Sequence, residues 1–177
     1  MKAWFFDAVT SIPERKLFGP LRWKLLSQLR GAIVEVGAGT GRSFKYYPSD
    51  CSVIAIEPDY DFYRKALTRA SQARAAIGVL RSDDGAMAAL FPASCDAVVF
   101  QFTLCSIEKP ATALKQARRI LTESGRLIIL EHVRSEGRIG RTQDFFTPVW
   151  QRIACNCHLN RETAGAFASR RVRYDGA

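Results

Sequence analysis

The sequence predicts an α/β domain with a doubly wound, mainly parallel sheet flanked by helices. Three observations carry this. Short apolar runs alternate with longer stretches of helical period, the pattern of strand–helix–strand units. One of those runs, Ile33 to Val36, ends in glycines at 37, 39 and 41, as a buried strand does where it turns sharply. The chain is 177 residues long, 47% hydrophobic and 24% charged, which fits one domain around a single sizeable core and excludes wholesale disorder.

Residues 1–30 read as a helical lead-in. Trp4, Phe5, Ala8, Val9 and Ile12 recur at roughly helical spacing, and Pro13 interrupts them. Leu17, Leu21, Leu25, Leu26 and Leu29 form a second stripe that Gly31 stops. The first strand is Ile33 to Val36. Residues 42–47 open a helix that Pro48 ends. Ser52 to Ile56 is the second strand, Tyr60 to Ala75 a helix and Ile77 to Leu80 the third strand. Ala86 to Leu90 is a short helix and Asp96 to Gln101 the fourth strand. The spacing of Ala113, Leu114, Ala117, Ile120 and Leu121 predicts a helix over Pro110 to Leu121. Gly125 turns the chain into a fifth strand, Arg126 to Glu131.

Composition narrows the class. No run of about 18 apolar residues occurs, so no transmembrane helix is expected. Asp7, Glu14 and Arg15 break any signal-peptide core, which points to the cytoplasm. The five cysteines (51, 95, 105, 155 and 157) are odd in number and follow reduced usage rather than a disulfide framework. A net charge of +9 favours an anionic partner, nucleic acid or a membrane surface, though a basic surface without a partner stays open.

Gly37, Gly39 and Gly41 let a ligand approach the backbone closely. A dinucleotide fingerprint needs its third glycine at position 42, where Arg42 stands, and no Lys-Ser or Lys-Thr pair follows to make a phosphate-cradling loop. Glu57, ending the second strand, sits where a carboxylate can accept from both ribose hydroxyls. Asp83-Asp84-Gly85 follows the third strand, where one acid can meet an adenine amino group; the choice between Asp83 and Asp84 stays open. Together these marks describe a pocket for an adenosine without phosphates.

This constellation resembles the class I S-adenosylmethionine-dependent methyltransferases, from about Gly31 to Val133. Their Rossmann-like sheet matches the fold class above. Phe44-Lys45-Tyr46-Tyr47-Pro48, Thr103-Leu104-Cys105-Ser106, Glu131-His132-Val133, Thr147-Pro148-Val149-Trp150 and Cys157-His158-Leu159-Asn160-Arg161-Glu162 resemble the thiol methyltransferase-like branch. That branch includes membrane-associated enzymes acting on small alkyl thiols. The chain is also similar to ubiquinone/menaquinone and phospholipid N-methyltransferases. The resemblance implies S-adenosyl-L-methionine as the methyl donor. Glu35 with Gly37, Ala38, Gly39, Thr40 and Gly41 would hold its methionine part. Glu57 and Pro58 would hold the ribose, and Asp83, Asp84, Gly85 and Ala86 the adenine. Gln101 would contact the methionine end.

The expected function is methyl transfer to a small apolar acceptor, a thiol or similar. The alternatives are a lipid-headgroup or quinone methyltransferase at a membrane, or a non-catalytic cofactor- or partner-binding protein. A methyl sulfonium is already activated, so alignment supplies most of the catalysis and no catalytic base is assigned. His132 and Phe102 are the substrate-side candidates; His132 could equally be a packing residue. Cys155, Cys157 and His158 lack a matching second cluster, so no metal is expected. Nucleic acid is not expected, because Gln101-Phe102-Thr103-Leu104 replaces any Asn-Pro-Pro-Tyr-like signature and no aromatic-basic motif occurs.

A single domain is expected over 1–177: a helical cap at 1–30, a cofactor-binding core at 31–133, then substrate-side helices and a shortened C-terminus at 134–177. Residues 171–177 could start a sixth strand but leave none for a seventh, so the C-terminal strand pair is expected to be incomplete. The fifth strand would then be an apolar edge open to a homodimer.

Overall fold

The computed structural model describes residues 2–131, 137–153 and 160. Five parallel strands form one sheet: β1 (Gly31–Val36), β2 (Cys51–Ile56), β3 (Ala76–Leu80), β4 (Cys95–Gln101) and β5 (Leu121–Leu130). Their spatial order is β3-β2-β1-β4-β5, so the chain reverses direction across the sheet between β1 and β4. Val36 lies beside Ile56 on one side and Phe100 on the other. The ends of β1, β2 and β4 are thus level, and their loops open side by side.

Alternation along each strand sends side chains to two cores. Ile33, Val53, Ala55, Ala97 and Val99 pack with Leu26, Leu29, Phe44 and Tyr47 on one face. Val34, Val36, Ile56, Val98 and Phe100 pack with Met87, Ala113, Ala117 and Ile120 on the other. Glu35 shares the first face with Ile33, where the period calls for an apolar residue.

The helices follow the same logic. In α4 (Tyr60–Ala70) the Asp59 carboxylate caps the Phe62 amide, and Phe62 and Ala66, four residues apart, turn inward. In α5 (Pro110–Ile120) proline stands in the first turn, where its missing N–H is harmless. Beyond these lies α6 (Gly137–Ile153). Among the described residues no helix is long and apolar enough to cross a membrane.

Several boundaries differ from expectation. The lead-in breaks at Thr10, not at Pro13. It forms α1 (Ala3–Val9), a single turn α2 (Ser11–Pro13), a π-helical stretch (Glu14–Phe18) and α3 (Gly19–Leu26). Pro13 is tolerated because it falls in the first turn of the second stretch. Gly31 opens β1 at φ 78° rather than ending a helix, and α4 stops at Ala70. The 42–47 and 86–90 segments are 3-10 turns at Phe44–Tyr46 and Asp84–Ala89. Gly125 lies inside β5, within a register irregularity opposite Cys95 and Ala97. β5 is an outer strand of this sheet. The expectations for 171–177, and for Cys155, Cys157 and His158, lie outside the described residues.

Candidate functional site

The site is built at the carboxyl ends of β1 to β4. After Val36 the backbone enters the left-handed region three times, at Gly37 (φ 69°), Gly39 (58°) and Gly41 (76°). The Gly37 and Ala38 amides both donate to the Ile56 carbonyl, at 2.8 and 3.0 Å, pinning the loop to β2. A Cβ at Gly37 would strike the Thr103 side chain, whereas one at Gly39 would meet nothing within 4 Å. The open side of the loop is therefore at Gly39.

Glu57 braces this loop. Its Oε2 accepts from the Gly39 amide at 2.8 Å and its Oε1 from the Asp59 amide at 2.9 Å. Burial raises its carboxyl above the usual range, and the two amide bonds pull the other way. Each oxygen keeps a further lone pair for a ligand hydroxyl. Pro58 beside it is exposed. One strand further along, the Asp83 carboxylate caps the 3-10 turn by accepting from the Gly85 amide at 2.9 Å, and the Ala86 amide donates to the Asp83 carbonyl. Asp84 is half-buried, and burial raises its carboxyl. Arg119 of α5 grips this turn from below, donating to the Met87 and Leu90 carbonyls at 2.8 and 2.9 Å.

Glu35 faces inward, away from the open side. It is 1% exposed. Ser43 and Tyr47 donate to its Oε2, each at 2.9 Å, and Gln101 donates to its Oε1 at 3.2 Å. Burial raises its carboxyl; these donors and the charge of Arg22 oppose that rise. Ser43, Tyr47 and Gln101 thus enclose the Glu35 carboxylate, and Gln101 links it to the end of β4. Gln101 in turn accepts from Arg22 Nη1 at 2.8 Å. Phe102 follows at φ 55°, a conformation uncommon for a bulky residue. Its neighbours Thr103 and Leu104 donate their amides to Glu131 Oε1 at 2.6 and 2.7 Å, and Thr103 Oγ1 donates to the Gly37 carbonyl at 3.2 Å. The loops after β1, β4 and β5 are thereby tied together. His132 lies outside the described residues.

A second set of residues escapes motif reading. Asp7 of α1 accepts from Thr40 Oγ1 (2.9 Å), Arg42 Nε (2.8 Å) and Arg69 Nη2 (2.8 Å), and pairs with Lys65 (2.9 Å). Burial alone would raise its carboxyl; these four donors outweigh it and hold it far below the usual carboxylate range. Arg69 also donates to the Thr40 carbonyl at 2.8 Å. Glu14 lies 3.3 Å from Arg22 and 3.6 Å from Arg42. The N-terminal helices are thus clamped onto the glycine loop. Asp7 and Glu14 stand seven residues apart, but α1 ends at Val9 and Glu14 opens the π-helical stretch, so no single helical face joins them and no local spacing marks them as inward-facing.

The arrangement suits a nucleoside lacking phosphates. The open glycine offers close backbone approach, and the carboxylates of Glu57 and Asp84 have acceptor capacity for hydroxyl or amino donors. Arg42 and Arg69, the cations nearest the loop, are committed to Asp7 rather than to a phosphate. Among the described residues no cluster of three His, Cys, Asp or Glu could hold a metal.

Comparison with known proteins agrees. Residues 34–129 match the methyltransferase domain family. Thiol S-methyltransferase TMT1B of Homo sapiens is 32% identical over 155 residues, covering 85% of this chain and 63% of that protein. The Mus musculus protein of the same name is 32% identical over 172 residues, covering 90% and 70%. Against the human relative the chain thus spans less than two thirds of the length. A crystal structure of a SAM-dependent methyltransferase from Aquifex aeolicus superposes with a TM-score of 0.62 at 16% identity, covering 87% of this chain and 88% of that one. That likeness concerns the fold.

Proposed function

The chain belongs to the methyltransferase domain family, within the class I S-adenosylmethionine-dependent, thiol methyltransferase-like group, and from that premise we propose that it transfers a methyl group from S-adenosylmethionine to a small apolar thiol. The observation that carries this is the row of groups along the sheet edge. Asp84 follows β3, Glu57 follows β2, the Gly37–Gly41 loop follows β1 and Gln101 ends β4, in the spatial order β3-β2-β1-β4. In the proposed reading the Asp84 carboxylate holds the adenine, since Asp83 is engaged as a cap and the Ala86 amide already donates to the Asp83 carbonyl. Glu57 holds the ribose, and the glycine loop with Gln101 takes the methionine part. Glu35 keeps Gln101 oriented. When bound, the donor supplies a methyl group already activated by its sulfonium. The protein's part is to align the acceptor and exclude water. The names of the relatives support a thiol over an amine or a quinol.

The test is incubation with methyl-labelled donor and a panel of alkyl thiols, amines and quinol precursors. Label in the thiols alone is expected; transfer to none, or to amines instead, overturns the reading. Separately, calorimetry with S-adenosylhomocysteine checks the donor site.

The proposed working location is peripheral, on the cytoplasmic face of an anionic membrane. Trp4, Phe5, Ile12, Leu17 and Trp23 are exposed beside Arg15, Lys16 and Lys24, a composition that suits an interface. Co-sedimentation with anionic liposomes at low salt is expected, and its absence removes this part of the reading.

A further inference from the structure

We infer that Arg22, held over the ring of Phe102, selects the acceptor as a thiolate, with Phe18 and Phe102 as the apolar wall beside it. This rests on the thiol-transfer reading above. The groups for adenine, ribose and the amino-acid part step from β3 through β2 to β1. Continuing that row carries the reactive methyl toward the end of β4, where ligands sit at the switch point of such a sheet. Phe102 occupies that end.

What packs on Phe102 comes from the N-terminal helices. The Phe18 ring lies 4.7 Å from the Phe102 ring, tilted by 57°. The Arg22 guanidinium carbon stands 5.6 Å from the Phe102 ring centroid. Phe102 keeps its left-handed backbone, with its amide donating to the Leu130 carbonyl at 2.8 Å. Two aromatic faces and a guanidinium therefore converge where the acceptor must arrive.

Arg22 keeps a donor unused there. Its side chain is 12% exposed, and Nη1 donates to Gln101. Its Nε lies 3.3 Å from Glu14 Oε1, yet both atoms are buried without a hydrogen-bond partner, so the ion pair is oblique. Glu14 is shared with Arg42. Glu14 thus serves two guanidinium groups, Arg22 and Arg42, while Asp7 holds Arg42, Lys65 and Arg69, and the buried Glu35 carboxyl also feels the Arg22 charge.

The chemistry follows. An alkyl thiol with a pKa near that of cysteine, about 8.5, is mostly protonated at neutral pH, and the thiolate is the nucleophile. A cation within reach lowers such a pKa by about 1–3. The thiol proton leaves to solvent, and the thiolate's electron pair forms the new S–CH3 bond. As it forms, the methyl–sulfonium bond breaks and its pair stays on the sulfur of S-adenosylhomocysteine. A protonated amine gains nothing from the same charge and is repelled by it.

The test compares wild type, Arg22→Met and Arg22→Lys on an alkyl thiol and on an aryl thiol already ionised at neutral pH. In Arg22→Met the pH of half-maximal kcat for the alkyl thiol is expected to rise by about one unit, a loss of about tenfold in kcat at neutral pH. The aryl thiol should lose less than about threefold, and Arg22→Lys should recover most of the alkyl activity. The thermal midpoint should fall, because Glu14 and Gln101 lose a buried partner, while S-adenosylhomocysteine affinity should fall far less than alkyl-thiol kcat. An unmoved pH profile, or equal losses on both thiols, overturns the inference. So does a large loss of S-adenosylhomocysteine affinity, which would make Arg22 a donor-binding residue instead. Should Arg22→Met not fold, Arg22→Gln removes the charge in its place. A wild-type protein that methylates no thiol overturns the proposed function and this inference with it; a wild type that does, with an unmoved variant profile, overturns this inference alone.

Discussion

The sheet edge and the N-terminal helices reach the same loop by opposite means. The sheet edge holds the glycine loop by backbone: amides of Gly37 and Ala38 to the Ile56 carbonyl, and the Gly39 amide to Glu57. The helices hold it by charge, through Asp7 to Thr40, Arg42 and Arg69. Backbone clamps are written in glycines and strand ends close together in the chain. Charge clamps join residues 33 to 62 positions apart, and nothing local announces them. If this division is sound, disturbing the first should cost fold and donor binding together, and disturbing the second should loosen the cap while the sheet survives.

The largest effect is expected at Gly37→Ala. A left-handed alanine costs about 1–2 kcal/mol. The overpacking against Thr103 adds about 1–3 kcal/mol. Urea unfolding should show the sum. Gly39→Ala carries the backbone cost alone, because its Cβ enters open space. It should therefore stay folded and lose S-adenosylhomocysteine affinity by calorimetry. Equal stability losses at the two glycines would break the assignment of the open side.

Glu57→Ala comes next. It strips the acceptor from the Gly39 and Asp59 amides, each loss costing about 1–3 kcal/mol if water does not replace it. Donor affinity is expected to fall about tenfold to a hundredfold, while Glu57→Gln, which keeps one acceptor oxygen, should fall less. A Glu57→Ala protein that binds S-adenosylhomocysteine normally would leave the carboxylate as a loop brace only.

These two regions differ in how much could be read beforehand. All five strands were legible, because apolar runs of strand length and the punctuating glycines are local signals. The loop glycines, Glu57 and the Asp83-Asp84 turn were legible for the same reason. The engagement of Asp83 as a cap at Gly85 was not legible, because it forms only when the turn folds. The enclosure of Glu35 was hidden, since its partners Ser43, Tyr47 and Gln101 meet it only after folding. The cap was least legible. No local signal marks Arg22 of the cap, or Arg42 of the glycine loop, as largely buried on Asp7, Glu14 and Gln101. Pro13 suggested a break that the first-turn position made unnecessary.

Asp7→Asn tests the charge clamp directly. Removing one partner from a largely buried cluster destabilises, here by about 1–3 kcal/mol after discounting the solvent-exposed part. The effect has a defined pH dependence. The folded carboxyl of Asp7 lies below its ordinary value, so its contribution is complete above about pH 5 and is lost as pH falls through the acid range. The stability gap between wild type and Asp7→Asn should accordingly be flat near neutrality, begin to narrow below about pH 4 and go on narrowing into stronger acid. Hydrogen exchange should report faster opening of residues 3–26 with the strands unchanged. A gap that widens in acid would mean that Asp7 is not held by its cations.

The smallest effect on stability belongs to the outer face of the same helices. Trp4 and Trp23 are 64% and 62% exposed, so replacing both by alanine should shift unfolding by less than about 0.5 kcal/mol each. Their inner neighbours show why. Phe6 packs on Phe62 at 5.2 Å, and Phe18 packs on Phe102 at 4.7 Å, so one helical segment spends some of its aromatics on the core and leaves others in water. Large aromatic surface exposed beside lysines and arginines suits the proposed contact with an apolar, anionic surface. The double variant should therefore keep its thermal midpoint and its transfer to soluble thiols while losing liposome co-sedimentation. If vesicle binding persists, or if thiol transfer falls with it, the outer face belongs to the same clamp as the inner one, and the two-sided account of the helices fails.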